Sequence, residues 1–368
     1  MVEKEKISVH QFMISVTLFT IGTTILIAPA TVVTEAKQDG WISAILFTGI
    51  GLLLVLFYNT LGNIFPNMTL VELSIKLLGK WIGNMVAFIY VSFFLYSTAA
   101  LLFYVGNFLT TQMLPGTPIQ SIIILLTGIL IMGVYYGIET LARFAEIVFP
   151  FIALLFLILV ITISPQVEFQ NIQPIFEGEI KSILHGGLFY FSNTFLMLIT
   201  LLMIFPTHMN EPIKAKKAFI FGSLIGGIIL IIIILLSILV LGHYITSTQA
   251  YPSYTLFKKI SIGNFLERIE VVMATIWFIT IYFKMTMYFY GAVLGLTQML
   301  KLNNYRPLLL PLGMFLVPFS LVIYPNTAYM QTFETTVWIP YSFTLGLFLP
   351  LLLFGVAIFR KNALSKNT

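Results

Sequence analysis

The chain has 368 residues, of which 9% are charged, against roughly a quarter in soluble globular domains. Hydrophobic residues reach 59% and the mean hydropathy is +0.99, more apolar surface than an aqueous fold can bury and a load that a bilayer absorbs. The absence of cysteine excludes disulfides, thiol nucleophiles and thiolate metal sites. The net charge of +5 comes from short polar connections rather than from a basic stripe interleaved with aromatics, so nucleic acid is not an expected partner.

Met1–Lys6 precedes an apolar run, and Ala28-Pro29-Ala30 resembles a signal-peptide cleavage site. That run exceeds a usual signal-peptide core and many further spans follow it, so an uncleaved first helix is expected. Apolar runs long enough for roughly 30 Å of hydrocarbon fall at about 9–30, 41–64, 84–109, 119–138 and 145–163. A second set falls at about 184–205, 217–243, 269–298, 307–324 and 337–359. The fold class read from them is an all-α polytopic membrane protein of ten spans in one integral domain. Two five-span halves, about 8–163 and 184–360, have opposite topology because five is odd. The connections 164–183 and 244–268 are the longest, too short for a separate domain.

Lys and Arg divide unevenly between the two sides. The side of the N-terminus receives thirteen: Lys4, Lys6, Lys76, Lys80, Arg143, Lys214, Lys216, Lys217, Lys301, Arg306, Arg360, Lys361 and Lys366. The other side receives five: Lys37, Lys181, Lys258, Lys259 and Arg268. The positive-inside bias therefore places both termini in the cytoplasm. The remaining cation, Lys284, falls in the middle of the eighth span.

The first span carries Gly22-Thr23-Thr24-Ile25-Leu26 and then Ala28-Pro29. Glycine frees the backbone, threonine can satisfy a released carbonyl, and proline removes a donor one turn later. The pattern suggests a helix broken near mid-membrane, with a helix N-terminus suited to an anion; close packing of Gly22 on a neighbouring helix is the plainer alternative. The sixth span opens His185-Gly186-Gly187 and continues Phe191-Ser192-Asn193-Thr194, three small polar residues in an apolar helix. Broken helices at equivalent places in two inverted halves mark a transporter fold with a solute site at the midplane.

Lys284 at bilayer depth costs about 2.5 kcal/mol or more, so it should face protein or water. It reads either as a fixed ammonium or proton-coupling group between spans one and eight, or as a stem reaching polar groups in the bundle. At 100° per residue, Thr286 points about 200° away from it, while Thr286 and Tyr290 share a face. Tyr96, Ser97, Thr98, Leu101 and Tyr104 on the third span can line the same cavity or bond between helices. Glu139, Arg143 and Glu146 are read as bracketing a short cytoplasmic turn. His10, His185, His208 and His243 have no metal-ligand spacing, and no phosphate loop or nucleophile elbow occurs, so neither an enzyme nor a metal or other cofactor is expected.

Ile7-Ser8-Val9-His10-Gln11-Phe12, the Gly22–Leu26 break, Arg143-Phe144-Ala145-Glu146, Tyr288-Phe289-Tyr290-Gly291 and Leu296-Thr297-Gln298, in that order and spacing, resemble the B subunits of bacterial spore germinant receptors. The resemblance implies the LeuT-like fold of the amino acid–polyamine–organocation transporters. It also implies the spore inner membrane, a complex with an A-type subunit and a lipoprotein C-type subunit, and binding of a nutrient such as an amino acid or sugar. Carried over residue by residue, it assigns the nutrient site to Gly22, Thr23, Thr24, Ile25, Phe191, Ser192, Asn193, Thr286 and Tyr290, with Leu101 and Leu198 as apolar wall. Lys284 is matched by no rule of that family.

Overall fold

Capping chemistry, proline and glycine decide where the apolar stretches begin and end. The computed structural model describes residues 5–259 and 269–365, with side chains to 359. Lys4, Arg268 and Lys366 and the side chains of Arg360 and Lys361, counted above for orientation, lie outside what is described.

Helix α1 (Val9–Ile21) starts on a reciprocal cap, the Ser8 hydroxyl accepting from the Gln11 amide and the Gln11 side chain from Ser8, which satisfies two otherwise orphaned donors. It stops at Gly22, and α2 (Thr24–Ala36) resumes after Thr23. Helix α3 spans Gly40–Ile64, and α4 (Leu70–Leu78) opens on a Thr69–Glu72 capping box. Gly79, at φ +84°, turns the chain into α5 (Lys80–Phe108). After Pro118 come α6 (Ile119–Tyr135) and α7 (Gly137–Ile163). The second part of the chain holds α8 (Ile180–Thr194), α9 (Pro212–Thr248, kinked at Gly242), α10 (Pro252–Lys258) and α11 (Glu270–Met299). It closes with α12 (Arg306–Val322), α13 (Thr327–Thr336), α14 (Trp338–Phe343) and α15 (Leu349–Ser365).

Among the described residues, seven helical stretches are long and apolar enough to cross a membrane, eight if the bent pair α12–α13 counts as one; α1 and α6 are shorter apolar helices. No strand occurs among the described residues. A hydrophobic core runs through the bundle, and large apolar side chains such as Ile147, Phe151, Leu154 and Ile161 on α7 point outward, as lipid-facing positions require.

Helices α1 and α2 sit at the centre, packed on α9 and on α11 and α8 respectively. Small residues permit the approach: an added Cβ at Gly222 would lie 2.5 Å from the Met13 carbonyl, and one at Gly226 2.6 Å from Thr20, close spacing of the kind that drives helix association in lipid.

The helix boundaries correct two expectations. Glu139, Arg143 and Glu146 do not bracket a turn; they lie on the first turns of α7, and the connection from α6 is a single tight step at Tyr136 and Gly137 (φ +87°). The Glu5 carboxylate makes that start possible by accepting from the Glu139 amide at 3.2 Å, a side-chain oxygen at a helix N-terminus. The stretch before the last span, read as loop, contains α13, bent by 99° from α12.

Candidate functional site

The site forms where two helices lose regular geometry at the same depth. In α1 the Gly22 amide still donates to Leu18 (2.9 Å), but Gly22 adopts φ +26°, ψ −120°, a backbone that side chains rarely take. The next turn is tight, the Leu26 amide donating to Thr23 at 3.2 Å, and the first turn of α2 has no side-chain cap. Its leading amides therefore face the break as uncompensated donors.

The second break lies at the end of α8. The Phe195 amide closes an α turn on Phe191 (3.0 Å), and then Leu196–Met203 continues as a 3-10 helix, the Leu198 amide donating to Phe195 (3.1 Å). Shortening the ladder from four residues to three releases a carbonyl, and Asn193 shows where it goes. Its backbone oxygen accepts from the Lys284 ammonium at 2.9 Å and from the Thr24 hydroxyl at 3.4 Å. The Gly22 carbonyl accepts from Thr280 of α11 at 3.3 Å. Thus Lys284 and Thr280, one turn apart on α11, close the freed carbonyls of both breaks. A cation at the C-terminal end of α8 also opposes that helix's dipole. The Lys284 ammonium lies 5.4 Å over the Phe19 ring as well.

Between the breaks is a cavity of about 30 Å³, lined by Thr23, Ile27, Ser97, Ala100, Leu101, Tyr104, Asn193, Met197, Lys284, Tyr288, Glu334 and Trp338. It holds about two water molecules at most. Thr23 Oγ1 and Trp338 Nε1 are buried there with no hydrogen-bond partner. Beyond it, on the side away from the N-terminus, a vestibule of about 640 Å³ is lined by Thr31, Thr34, Asn107, Gln249, Gln331 and others. Ile27, Tyr104 and Glu334 line both spaces, so they form the partition. Glu334 of α13 is buried and accepts from Tyr324 at 3.0 Å, and Tyr324 in turn meets Tyr96 at 3.1 Å.

The opposite side is closed. The Ile7 amide donates to the His208 carbonyl (2.8 Å) and the Asn210 amide to Ile7 (3.1 Å), while His10 and Gln11 meet the Glu146 carboxylate at 3.0 and 2.8 Å. The exposed Arg143–Glu139 pair at 2.5 Å decorates the start of α7.

The expected residues divide accordingly. Thr23, Leu101, Asn193 and Lys284 line the cavity; Gly22 and Thr24 shape it, and a Cβ at Gly22 would run into the Lys284 Cδ. Thr286 and Tyr290 point elsewhere: Thr286 bonds back to the Tyr282 carbonyl (2.7 Å), and Tyr290 reaches His208 (3.3 Å) on the N-terminal side. Tyr288, one turn after Lys284, takes the place facing the break. Ile25 offers only its carbonyl, to Ser253 (2.6 Å). Ser192 bonds back to Phe189 (2.8 Å), Phe191 packs between Phe47, Phe195 and Phe343, and Leu198 is buried in the core outside the cavity lining. Glu334 was not anticipated, although it is the one acidic residue between Arg306 and Arg360 in the sequence. Among the described residues no cluster of three or more His, Cys, Asp or Glu is placed to hold a metal.

A bundle with paired helix breaks around a small polar cavity defines a class, that of transporter-fold membrane proteins. The fold matches Mhp1, a nucleobase-cation-symport-1 family transporter solved in a closed conformation with bromovinylhydantoin bound, with a TM-score of 0.68 over 93% of this chain and 78% of that one at 10% identity. The chain belongs to the spore germination protein family, whose model matches residues 6–328. It is 29% identical to spore germination protein KB of Bacillus subtilis (strain 168) over 99% of this chain and 98% of that protein. It is also 29% identical to the putative spore germination protein YfkT, over 95% and 96%, and 28% identical to spore germination protein A2, over 94% of each, both from the same organism. By family and fold it is a multi-pass membrane protein and not an enzyme.

Proposed function

We propose that this chain is the nutrient-sensing membrane subunit of a spore germinant receptor, binding a small amino acid or sugar where its two broken helices meet. The observation that carries this reading is the cavity bounded by Thr23, just before α2, and Asn193 of α8, closed on one side and divided from a vestibule on the other by Ile27, Tyr104 and Glu334. A nutrient there would meet the amides opening α2, the hydroxyl of Thr23 and the apolar wall of Leu101, Ile27 and Met197. It would favour one state of the bundle and transmit that bias to its partners.

In this reading α1 with α2 form one crossing and α8 with its 3-10 extension another. That gives ten crossings in one domain, arranged as two inverted five-span halves, with both termini in the cytoplasm. The setting is the spore inner membrane, and the partners are an A-type subunit and a lipoprotein C-type subunit. The second reading, a proton-coupled amino acid transporter, is favoured by one observation: Lys284, a buried amine, lines the solute cavity itself.

The test replaces Gly22 by leucine in spores that still assemble the receptor complex. The added side chain collides with Lys284, so the nutrient concentration for half-maximal germination should rise at least tenfold or the response be lost. Germination at the original concentration would refute the site. Accumulation of labelled nutrient by vesicles holding this chain alone would select the transporter.

A further inference from the structure

Two buried groups of opposite charge face the same cavity without touching one another. Lys284 is 3% exposed and Glu334 is 7% exposed. Both line the space between the breaks, yet they are not an ion pair within 4.0 Å. Each is held from behind, Lys284 by the Asn193 carbonyl at 2.9 Å and Glu334 by the Tyr324 hydroxyl at 3.0 Å. Ions removed from water are normally compensated by direct pairing, because isolated burial is costly. Here the compensation is split across a gap.

We propose that Lys284 and Glu334 are the two ends of a clamp for a zwitterionic α-amino acid. Lys284 and the amides opening α2 take the carboxylate, and Glu334 takes the ammonium. This rests on the reading above and narrows its ligand from amino acid or sugar to amino acid alone. A sugar supplies no charge to either end; a zwitterion supplies the counter-ion that each lacks. Thr23 Oγ1 and Trp338 Nε1, buried and unpartnered beside the same gap, supply the remaining polar contacts, an acceptor or donor and a donor. Leu101, Ile27, Ala100 and Met197 complete the wall, which favours a short aliphatic or hydroxyl side chain.

The space of about 30 Å³ is smaller than any amino acid, so the clamp must open to load. Glu334 rides on α13, a ten-residue helix bent 99° from α12. The neighbouring Gln331 and Thr335 of α13 line the vestibule. Outward movement of α13 would admit the solute, and its return would bring Glu334 onto the ammonium.

The test uses the full-length chain in lipid nanodiscs, titrated with glycine, L-alanine, L-serine and L-valine. The amide and the deaminated acid of each (for alanine, L-alaninamide and propionate) and D-glucose are titrated alongside, followed by tryptophan fluorescence, to which Trp338 reports directly. At least one amino acid should bind, and both its amide and its deaminated acid should bind at least about tenfold more weakly, the scale of one lost charge-assisted contact. In Glu334→Gln the preference over the deaminated acid should vanish while the preference over the amide persists. In Lys284→Met the reverse should hold. A merely structural role would weaken all probes together. Glucose binding as tightly as the amino acids, or Glu334→Gln keeping its preference over propionate, overturns the clamp. If glucose binds and Gly22→Leu abolishes it, the midplane site survives and only the clamp falls. If no probe binds, both readings fall.

Discussion

Lys284→Met separates what the charge of this lysine does from what its stem does. The ammonium donates to the buried Asn193 carbonyl at 2.9 Å, and deleting it leaves that acceptor with the longer Thr24 contact at 3.4 Å, at a cost of about 1–3 kcal/mol. Against this, the substitution removes a cation from bilayer depth, which releases about 2.5 kcal/mol or more. Methionine keeps an unbranched stem against Gly22 and Phe19, so little packing is lost. The two effects nearly cancel, and the variant should unfold within about 2 kcal/mol of the parent. Lys284→Ala also deletes the stem beside the Gly22 backbone, and a cavity there should cost about 2–5 kcal/mol. Equilibrium unfolding in mixed micelles measures both variants. The expected pattern is stability in the order parent, near-equal methionine, then a clearly weaker alanine, with germinant affinity at least about tenfold weaker in both. Equal destabilisation by methionine and alanine would show that the charge holds the breaks together. Full affinity in Lys284→Met would remove the lysine from the site.

Other substitutions probe the frame. Tyr58→Phe deletes a hydroxyl whose one proton can serve the Gly346 carbonyl (2.5 Å) or the Leu196 carbonyl (3.2 Å). One buried hydrogen bond is lost, so unfolding free energy should fall by about 1–3 kcal/mol. Gly187→Ala drives a methyl into the Phe47 ring and should cost about 1–3 kcal/mol by overpacking, read in the same assay; no change would mean that α3 and α8 are not packed as described. Glu5→Gln weakens the acceptor at the Glu139 amide, so hydrogen exchange over the first turn of α7 should accelerate, with a global loss of about 0.5–2 kcal/mol at most. Arg143→Gln breaks an exposed pair and should change stability by no more than about 1 kcal/mol.

The membrane class was legible from composition because lipid, unlike water, tolerates uninterrupted apolar surface. The break at Gly22 was legible because glycine, two threonines and a later proline act locally on the backbone. The second break is less legible. Ser192-Asn193-Thr194 are polar, yet they are helical, and the ladder changes at Phe195 and Leu196, an apolar stretch without a local signal. Thr286 and Tyr290, given to the nutrient site by the resemblance, lie on the face of α11 away from the cavity. That helix is apolar nearly all round, so periodicity fixes which residues share a face but not which face meets α1. Lys284 itself settles the matter, since the long stem reaches the Asn193 carbonyl and brings Tyr288 with it. Glu334 was hidden by hydropathy averaging, because a short helix with several polar residues scores as a loop. Its burial depends on Tyr324, across the bend between α12 and α13, and on the partition with Tyr104, far away in sequence.

The direct trial of the central claim is a cryo-electron microscopy map of the assembled receptor with saturating nutrient. The account predicts solute density bounded by Thr23, Leu101 and Asn193, with Gly22 still breaking the helix beside it. Nutrient density elsewhere in the complex, with the space between α2 and α8 as narrow as it is here, would contradict it.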